Sequence, residues 1–216
     1  VSAAEAARHE VPDTMAQRMQ ACTACHGKEG RATNAGYFPR IAGKPAGYLF
    51  NQLVSFREGR RHNTAMAFLL AQTSDAYLRE IAGYFASLDL PYPPPAPTAA
   101  SPQDLQRGQA LVLRGKDNTV PACVHCHGAA MTGVVPAIPG LLGLPSGYIS
   151  RELGAWRSGA RRALEPDCMA QIARRLTEDE IGAAAAWLST QPAPVNAKPA
   201  ASIALPLPLS CGSGLK

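Results

Sequence analysis

Apolar and polar positions along the chain sort into helix-length blocks separated by loops rich in Gly and Pro, and the same order of blocks occurs twice. In each half the pattern predicts a helix leading into a cysteine-bearing turn, then a loop with Gly and Pro. A middle helix follows (about 46–59 and 147–158), then a loop carrying a methionine, then a terminal helix (about 75–88 and 178–190). Thr177-Glu178-Asp179-Glu180 is a capping box opening the last helix. Ser74 or Thr73 takes the equivalent part in the first half. Gln103–Arg114 starts a new helix with Pro102 near its beginning, where a missing N–H costs nothing. The pattern therefore predicts an all-α fold class: one unit over 1–90, a Pro-rich linker over 91–103, a second unit over 104–190, and a tail over 191–216. The linker should be extended and semi-rigid. The tail is rich in Pro and Ala without an amphipathic period, which predicts irregular structure.

The halves repeat in register. Phe38-Pro39, Ile41, Gly43, Pro45 and Gly47-Tyr48 answer Ile138-Pro139, Leu141, Gly143, Pro145 and Gly147-Tyr148. Leu53, Phe56, Arg57, Gly59 and Arg61 answer Leu153, Trp156, Arg157, Gly159 and Arg161. Ala65-Met66 answers Cys168-Met169 after three inserted residues. Such self-similarity is the mark of gene duplication, with one complete site per copy.

The chemistry sits in a five-residue word written twice, Cys22-Thr-Ala-Cys25-His26 and Cys123-Val-His-Cys126-His127. C-x-x-C-H is an attachment motif for c-type haem. Its thiols bond to the haem edge and its histidine becomes an axial ligand of iron. Zinc knuckles would need further Cys or His at metal spacing, and the first half has no third cysteine. The motifs imply two covalently attached haem c groups, with His26 and His127 as proximal ligands.

Five methionines compete for the sixth positions. Met15 and Met19 precede the first motif on the proximal-side helix, and Met131 follows His127 by four residues, too close to cross the ring. Met66 and Met169 follow the first cysteine of their motifs by 44 and 46 residues, at equivalent places in the repeat. They are the expected axial ligands, and thioether ligation favours ferrous iron. Rivals are His62, His9, His125 and, in the second half, a Cys168 thiolate. Pro39 and Pro139 are placed to accept the proximal imidazole N–H through their carbonyls. Tyr48, Arg57, Tyr148 and Arg157 are candidate hydrogen-bond donors to haem propionates, with helix packing the plainer reading of the tyrosines. Phe56 and Trp156 are expected to pack on the haems.

Composition narrows the picture further. Aromatics make up 6% of the chain, as expected where porphyrins supply apolar area. The formal charge of +5 would be largely offset by up to four propionates, and the bases form no continuous stripe, so nucleic acid is not an expected partner. Local clusters matter more: Arg57/Arg60/Arg61, Arg161/Arg162 and Arg174/Arg175 are expected propionate partners or docking charges. No apolar run reaches the ~18 residues of a membrane span. Val1-Ser2-Ala3-Ala4 opens into a polar helix, and haem attachment implies export, so the chain is expected to be mature and periplasmic. In that oxidising setting the two remaining cysteines, Cys168 and Cys211, are a plausible disulfide pair.

These residues together resemble the cytochrome c4 family of periplasmic dihaem proteins. The resemblance spans about residues 14–190. It rests on both C-x-x-C-H words, Pro39-x-Ile-Ala-Gly43, Gly47-Tyr48-Leu-x-x-Gln52-Leu53 and Phe56-Arg-x-Gly-Arg-Arg61 leading to Met66. The second half keeps Gly147-Tyr148, Trp156-Arg157-x-Gly159 and Met169, with Glu152 in place of Gln. Membership implies two class I cytochrome c domains, ligand pairs His26/Met66 and His127/Met169, and propionates near the domain interface. It implies a non-enzymatic electron carrier with redox protein partners: a periplasmic dehydrogenase on one side, a terminal oxidase or reductase on the other. Membrane association would come through such a partner. The linker, Cys168 and the tail depart from the family pattern. They suggest a specialised subunit of a dehydrogenase, its tail wrapping onto that partner. The competing reading is a thiosulfate dehydrogenase-like or peroxidase-like enzyme with one labile or cysteine-ligated haem.

Overall fold

The computed structural model describes residues 12–33, 36–203 and 207–214. His9 and the start of the chain, where Val1-Ser2-Ala3-Ala4 is expected to open into a polar helix, lie outside these residues. In the first half α1 (Met15–Arg18) and α2 (Gln20–His26) meet at Met19. They are followed by α3 (Ala46–Arg57), α4 (Thr64–Leu70) and α5 (Asp75–Ser87). The second half holds α6 (Pro102–Arg114), α7 (Cys123–His127), α8 (Ser146–Ser158), α9 (Cys168–Arg174) and α10 (Glu178–Ser189). Among the described residues no helix is long and apolar enough to cross a membrane.

Local signals set most helix ends. The Ser74 hydroxyl, not that of Thr73, accepts the Tyr77 N–H and opens α5. At α10 the capping box is complete: Thr177 accepts the Glu180 N–H, and the Glu180 carboxylate accepts the Thr177 N–H. Ser101 caps α6 and Pro102 fills its first position. Inside the second half α6 crosses α10 at close range. A Cβ on Gly108 would lie 2.1 Å from the Ala183 carbonyl oxygen, so only glycine allows the crossing. Leu111, Val112, Tyr148, Ile149, Ile181 and Leu188 close this core, while Met19, Leu49, Phe56, Leu78, Ile81 and Phe85 close that of the first half.

Three features depart from the sequence pattern. Met66 and Met169 stand in the first turns of α4 and α9 rather than in loops. Asn63 and Asp167, whose side chains accept the N–H groups of Met66 and Ala170, are the caps that start these helices. The helix leading to the second motif stops at Gly115 (φ 77°), and a turn closed by Lys116 and Val120 separates it from α7. A short antiparallel ribbon, β1 (Gly133–Val134) with β2 (Ile138–Pro139), interrupts the helical plan.

The linker has no regular secondary structure up to Ser101, where α6 takes over, and it is pinned over its first half. Arg40 donates to the carbonyls of Leu90 (2.6 Å) and Pro91 (3.0 Å) and stacks on Tyr92, and the Ala96 N–H donates to the Ser189 carbonyl. The described part of the tail lies on this chain itself. The Ala200 N–H donates to Gly133 O, and Ala200 O accepts from the Val135 N–H. Farther on, Cys211 is bonded to Cys168, and Asn51 of α3 donates to Ser213 O. The irregular tail therefore straps the second half and touches the first. The bond closes a stretch of 43 residues. Cys211→Ser is expected to lower unfolding free energy by about 2–4 kcal/mol through the freed chain entropy. Denaturant unfolding of the haem-loaded protein measures this, and an unchanged midpoint would refute it.

Candidate haem sites

Both C-x-x-C-H words line one continuous, mostly apolar cavity that runs between the halves. Cys22, Cys25 and His26 border it from α2, and Cys123, Cys126 and His127 from α7. Each proximal imidazole is fixed from behind. His26 Nδ1 lies 2.9 Å from Pro39 O, and His127 Nδ1 lies 2.7 Å from Pro139 O. Burial holds both histidines below their ordinary pKa, against the pull of those carbonyls. A neutral imidazole that donates Nδ1–H to a carbonyl keeps the Nε2 lone pair free for a metal.

Of the five methionines, only Met66 and Met169 line the cavity. Met19 is 2% exposed and packs in the first core, with Met15 against it, while Met131 packs in the second. Among the rivals, His125 is exposed and outside the cavity wall, and His62 is exposed at its rim. Cys168 carries no free thiol, being bonded to Cys211.

Four propionate donors were expected. Tyr48 and Tyr148 line the cavity; Arg57 and Arg157 do not. The Arg57 guanidinium donates to Thr73 O (2.8 Å) and Asp75 (2.6 Å), and that of Arg157 to Glu178 (3.0 Å). They are struts between the middle and terminal helices of their halves. Both stand in the last turn of the middle helix on its outer side, which the repeat alone does not reveal.

Among the described residues five cations reach the cavity, Arg40, Lys44, Arg61, Arg151 and Arg161, and of these Arg61 and Arg161 are members of the clusters noted above. They pair as an isolated antiparallel bridge where the halves meet, and they are 9% and 4% exposed. Each covers the aromatic of its own half: Arg61 lies 4.5 Å from the Phe56 ring centre and Arg161 3.7 Å from that of Trp156. Across the junction Arg61 donates to Tyr148 Oη (3.0 Å) and Arg161 to Gln52 Oε1 (2.7 Å). Glu152, the repeat partner of Gln52, binds both guanidiniums. Replacing the amide by a carboxylate at this one position puts a negative charge between two buried positive ones.

The wall fits a porphyrin bearing carboxylates. Thiols, imidazoles and thioethers meet on an apolar surface. Two of its residues also carry buried donors with no protein partner, Arg40 Nε and Trp156 Nε1. Such orphan donors call for acceptor oxygens, which propionates bring.

A helical chain with a duplicated covalent haem site is a dihaem protein of the class I cytochrome c type. A family model described as Cytochrome c matches residues 105–192. The thiosulfate dehydrogenase electron acceptor of Thiomonas intermedia is 36% identical over 79% of this chain and 78% of its own. Cytochrome c4 of Pseudomonas aeruginosa is 32% identical over 83% and 89%. The solved structure of reduced cytochrome c4 from Pseudomonas stutzeri superposes with a TM-score of 0.70 at 28% identity, covering 81% of this chain and 95% of that one. The chain belongs to the cytochrome c4 family: it is an electron-transfer protein carrying two covalently bound haem c groups.

Two outcomes follow. Replacing Cys22 and Cys25 together by Ala should leave one haem per chain in a pyridine haemochrome assay; retention of both would contradict the attachment. For Glu152, burial pushes its carboxyl pKa up, but Arg61 and Arg161 outweigh that and hold it below 4.5. Its contribution to stability is therefore complete above pH 4.5 and lost as pH falls through the lower folded value. Glu152→Ala strands two buried cations, with an expected loss of about 3–5 kcal/mol at pH 7 that shrinks in acid. Thermal melts from pH 7 to pH 3 measure both.

Proposed function

We propose that this protein is the periplasmic electron acceptor of a dehydrogenase, with His26/Met66 holding one haem and His127/Met169 the other. The observation that carries the ligand pairs is the sorting of the methionines, since the two at matched repeat positions alone border the cavity. Haem c supplies reversible one-electron exchange at iron. The chain's own residues hold each imidazole through a proline carbonyl, offer one thioether per site and exclude water with an apolar wall. With His and Met both engaged, neither iron keeps a position for substrate, which favours carrier over enzyme. The cysteine-ligated enzyme reading loses its ligand while Cys168 is bonded to Cys211. Tyr48 and Tyr148, with Arg61 and Arg161 in place of Arg57 and Arg157, are the propionate donors in this reading. The units 1–90 and 104–190 each carry one haem.

The names of relatives support the choice of partner. Two of them, from Thiomonas intermedia and Stutzerimonas stutzeri, bear the name thiosulfate dehydrogenase electron acceptor. A thiosulfate-oxidising dehydrogenase is therefore the proposed donor, with a terminal oxidase or reductase downstream. Export to the periplasm agrees with covalent haem attachment and an oxidised Cys168–Cys211 pair.

Adding carbon monoxide to the dithionite-reduced protein tests the ligand pairs. The absorption spectrum is expected to stay unchanged. A shift in half the haem would open one site and remove the corresponding methionine. Rapid mixing with a thiosulfate dehydrogenase and thiosulfate tests the partner: both haems should reduce at catalytic amounts of enzyme, and no reduction would exclude that donor.

A further inference from the structure

Lys44 and Arg40 are buried cations of the first half that the repeat does not copy; Leu144 and Gly140 occupy the matching positions. Arg40 is engaged by the linker, through the carbonyls of Leu90 and Pro91 and the face of Tyr92. Lys44 is 3% exposed, lines the haem cavity and crosses to the other half, where Nζ donates to Gly140 O at 2.7 Å. Gly140 directly follows Pro139, whose carbonyl holds His127. The same segment is clamped again at Gly47. Its N–H donates to Pro136 O at 3.0 Å, and a Cβ there would lie 2.7 Å from that oxygen. The first half thus delivers an ammonium to the back of the second half's proximal loop and fixes it there.

No salt bridge compensates Lys44 among the described residues; its one partner is a neutral carbonyl. A cation in a low-dielectric interior acts over longer range than one in water. The first half's proximal loop receives no such cation, because Leu144 stands at the position that answers Lys44. Reduction adds one electron to an iron site and lowers its charge by one, so a fixed positive neighbour favours the reduced form.

We propose that Lys44 is a potential-setting residue: held across the junction against the proximal loop of the C-terminal haem, it raises that haem's reduction potential and leaves the N-terminal haem without a counterpart. The energy step between the two haems is then partly a product of domain contact rather than of ligand type. The inference rests on His127 as the proximal ligand. The carbon monoxide experiment reads the ligands of both haems separately from any potential.

The test is a redox titration of the full haem-loaded chain. The paramagnetically shifted haem methyl protons, assigned to each half, report the two haems individually. The titration is run at pH 6, because burial brings the Lys44 amine down to about 7 and a lower pH keeps it charged. Lys44→Gln keeps a donor for Gly140 without the charge; Lys44→Arg keeps the charge. At a fixed ambient potential Lys44→Gln is expected to lower the reduced-to-oxidised ratio of the C-terminal haem about tenfold, ~59 mV for a one-electron couple, with changes under about twofold at the N-terminal haem and in Lys44→Arg. Should Lys44→Gln fail to load both haems, Lys44→Met removes the charge with a similar shape and carries the same expectation. An unchanged C-terminal haem, or a larger shift at the N-terminal one, overturns the proposal.

Discussion

Everything in this molecule depends on holding two imidazoles at fixed positions in an apolar wall. A short turn of helix bearing two cysteines and a histidine cannot orient the ring by itself. The proline carbonyl behind each histidine does so, at 2.9 Å in the first half and 2.7 Å in the second. Around that constraint the rest of each half is arranged. The loop carrying the proline leads into the middle helix, whose buried face supplies Leu49 and Phe56 or Tyr148 and Ile149. A capped terminal helix closes the core, and a short helix brings the methionine to the cavity.

The junction between the halves obeys a different balance. Arg61 and Arg161 are buried there and would be costly if left alone. Stacking on Phe56 and Trp156, hydrogen bonds to Tyr148 and Gln52, and the single Glu152 carboxylate compensate them. This explains why the duplication is not a perfect copy. Two glutamines would leave two buried charges unanswered; the one glutamate, shared by both guanidiniums, answers one of the two. Lys44 and Arg40 break the symmetry in the same region. The pinned linker and the disulfide-bound tail then hold the two halves against each other.

Much of this was legible in the sequence, for local reasons. C-x-x-C-H, the capping box at Thr177 and the Pro39 and Pro139 carbonyls depend on spacing within a few residues or on equivalence between copies. The failures are equally physical. The repeat marked Arg57 and Arg157 as equivalent positions, but equivalence says nothing about direction, and both point to the terminal helix. Asn63 and Asp167 are readable caps, but the helices they open are only seven residues long, too short to show a periodic apolar face, so the pattern predicts loops there. That Lys44 reaches the other half, and that the tail returns to its own chain, are long-range facts without a periodic signature.

The most direct test of the central claim, that each iron is held by one histidine and one methionine, is iron K-edge X-ray absorption of the reduced protein. One sulfur scatterer per iron, averaged over the two haems, is the outcome this account requires. Half a sulfur per iron, or none, would show that at least one of Met66 and Met169 does not bind.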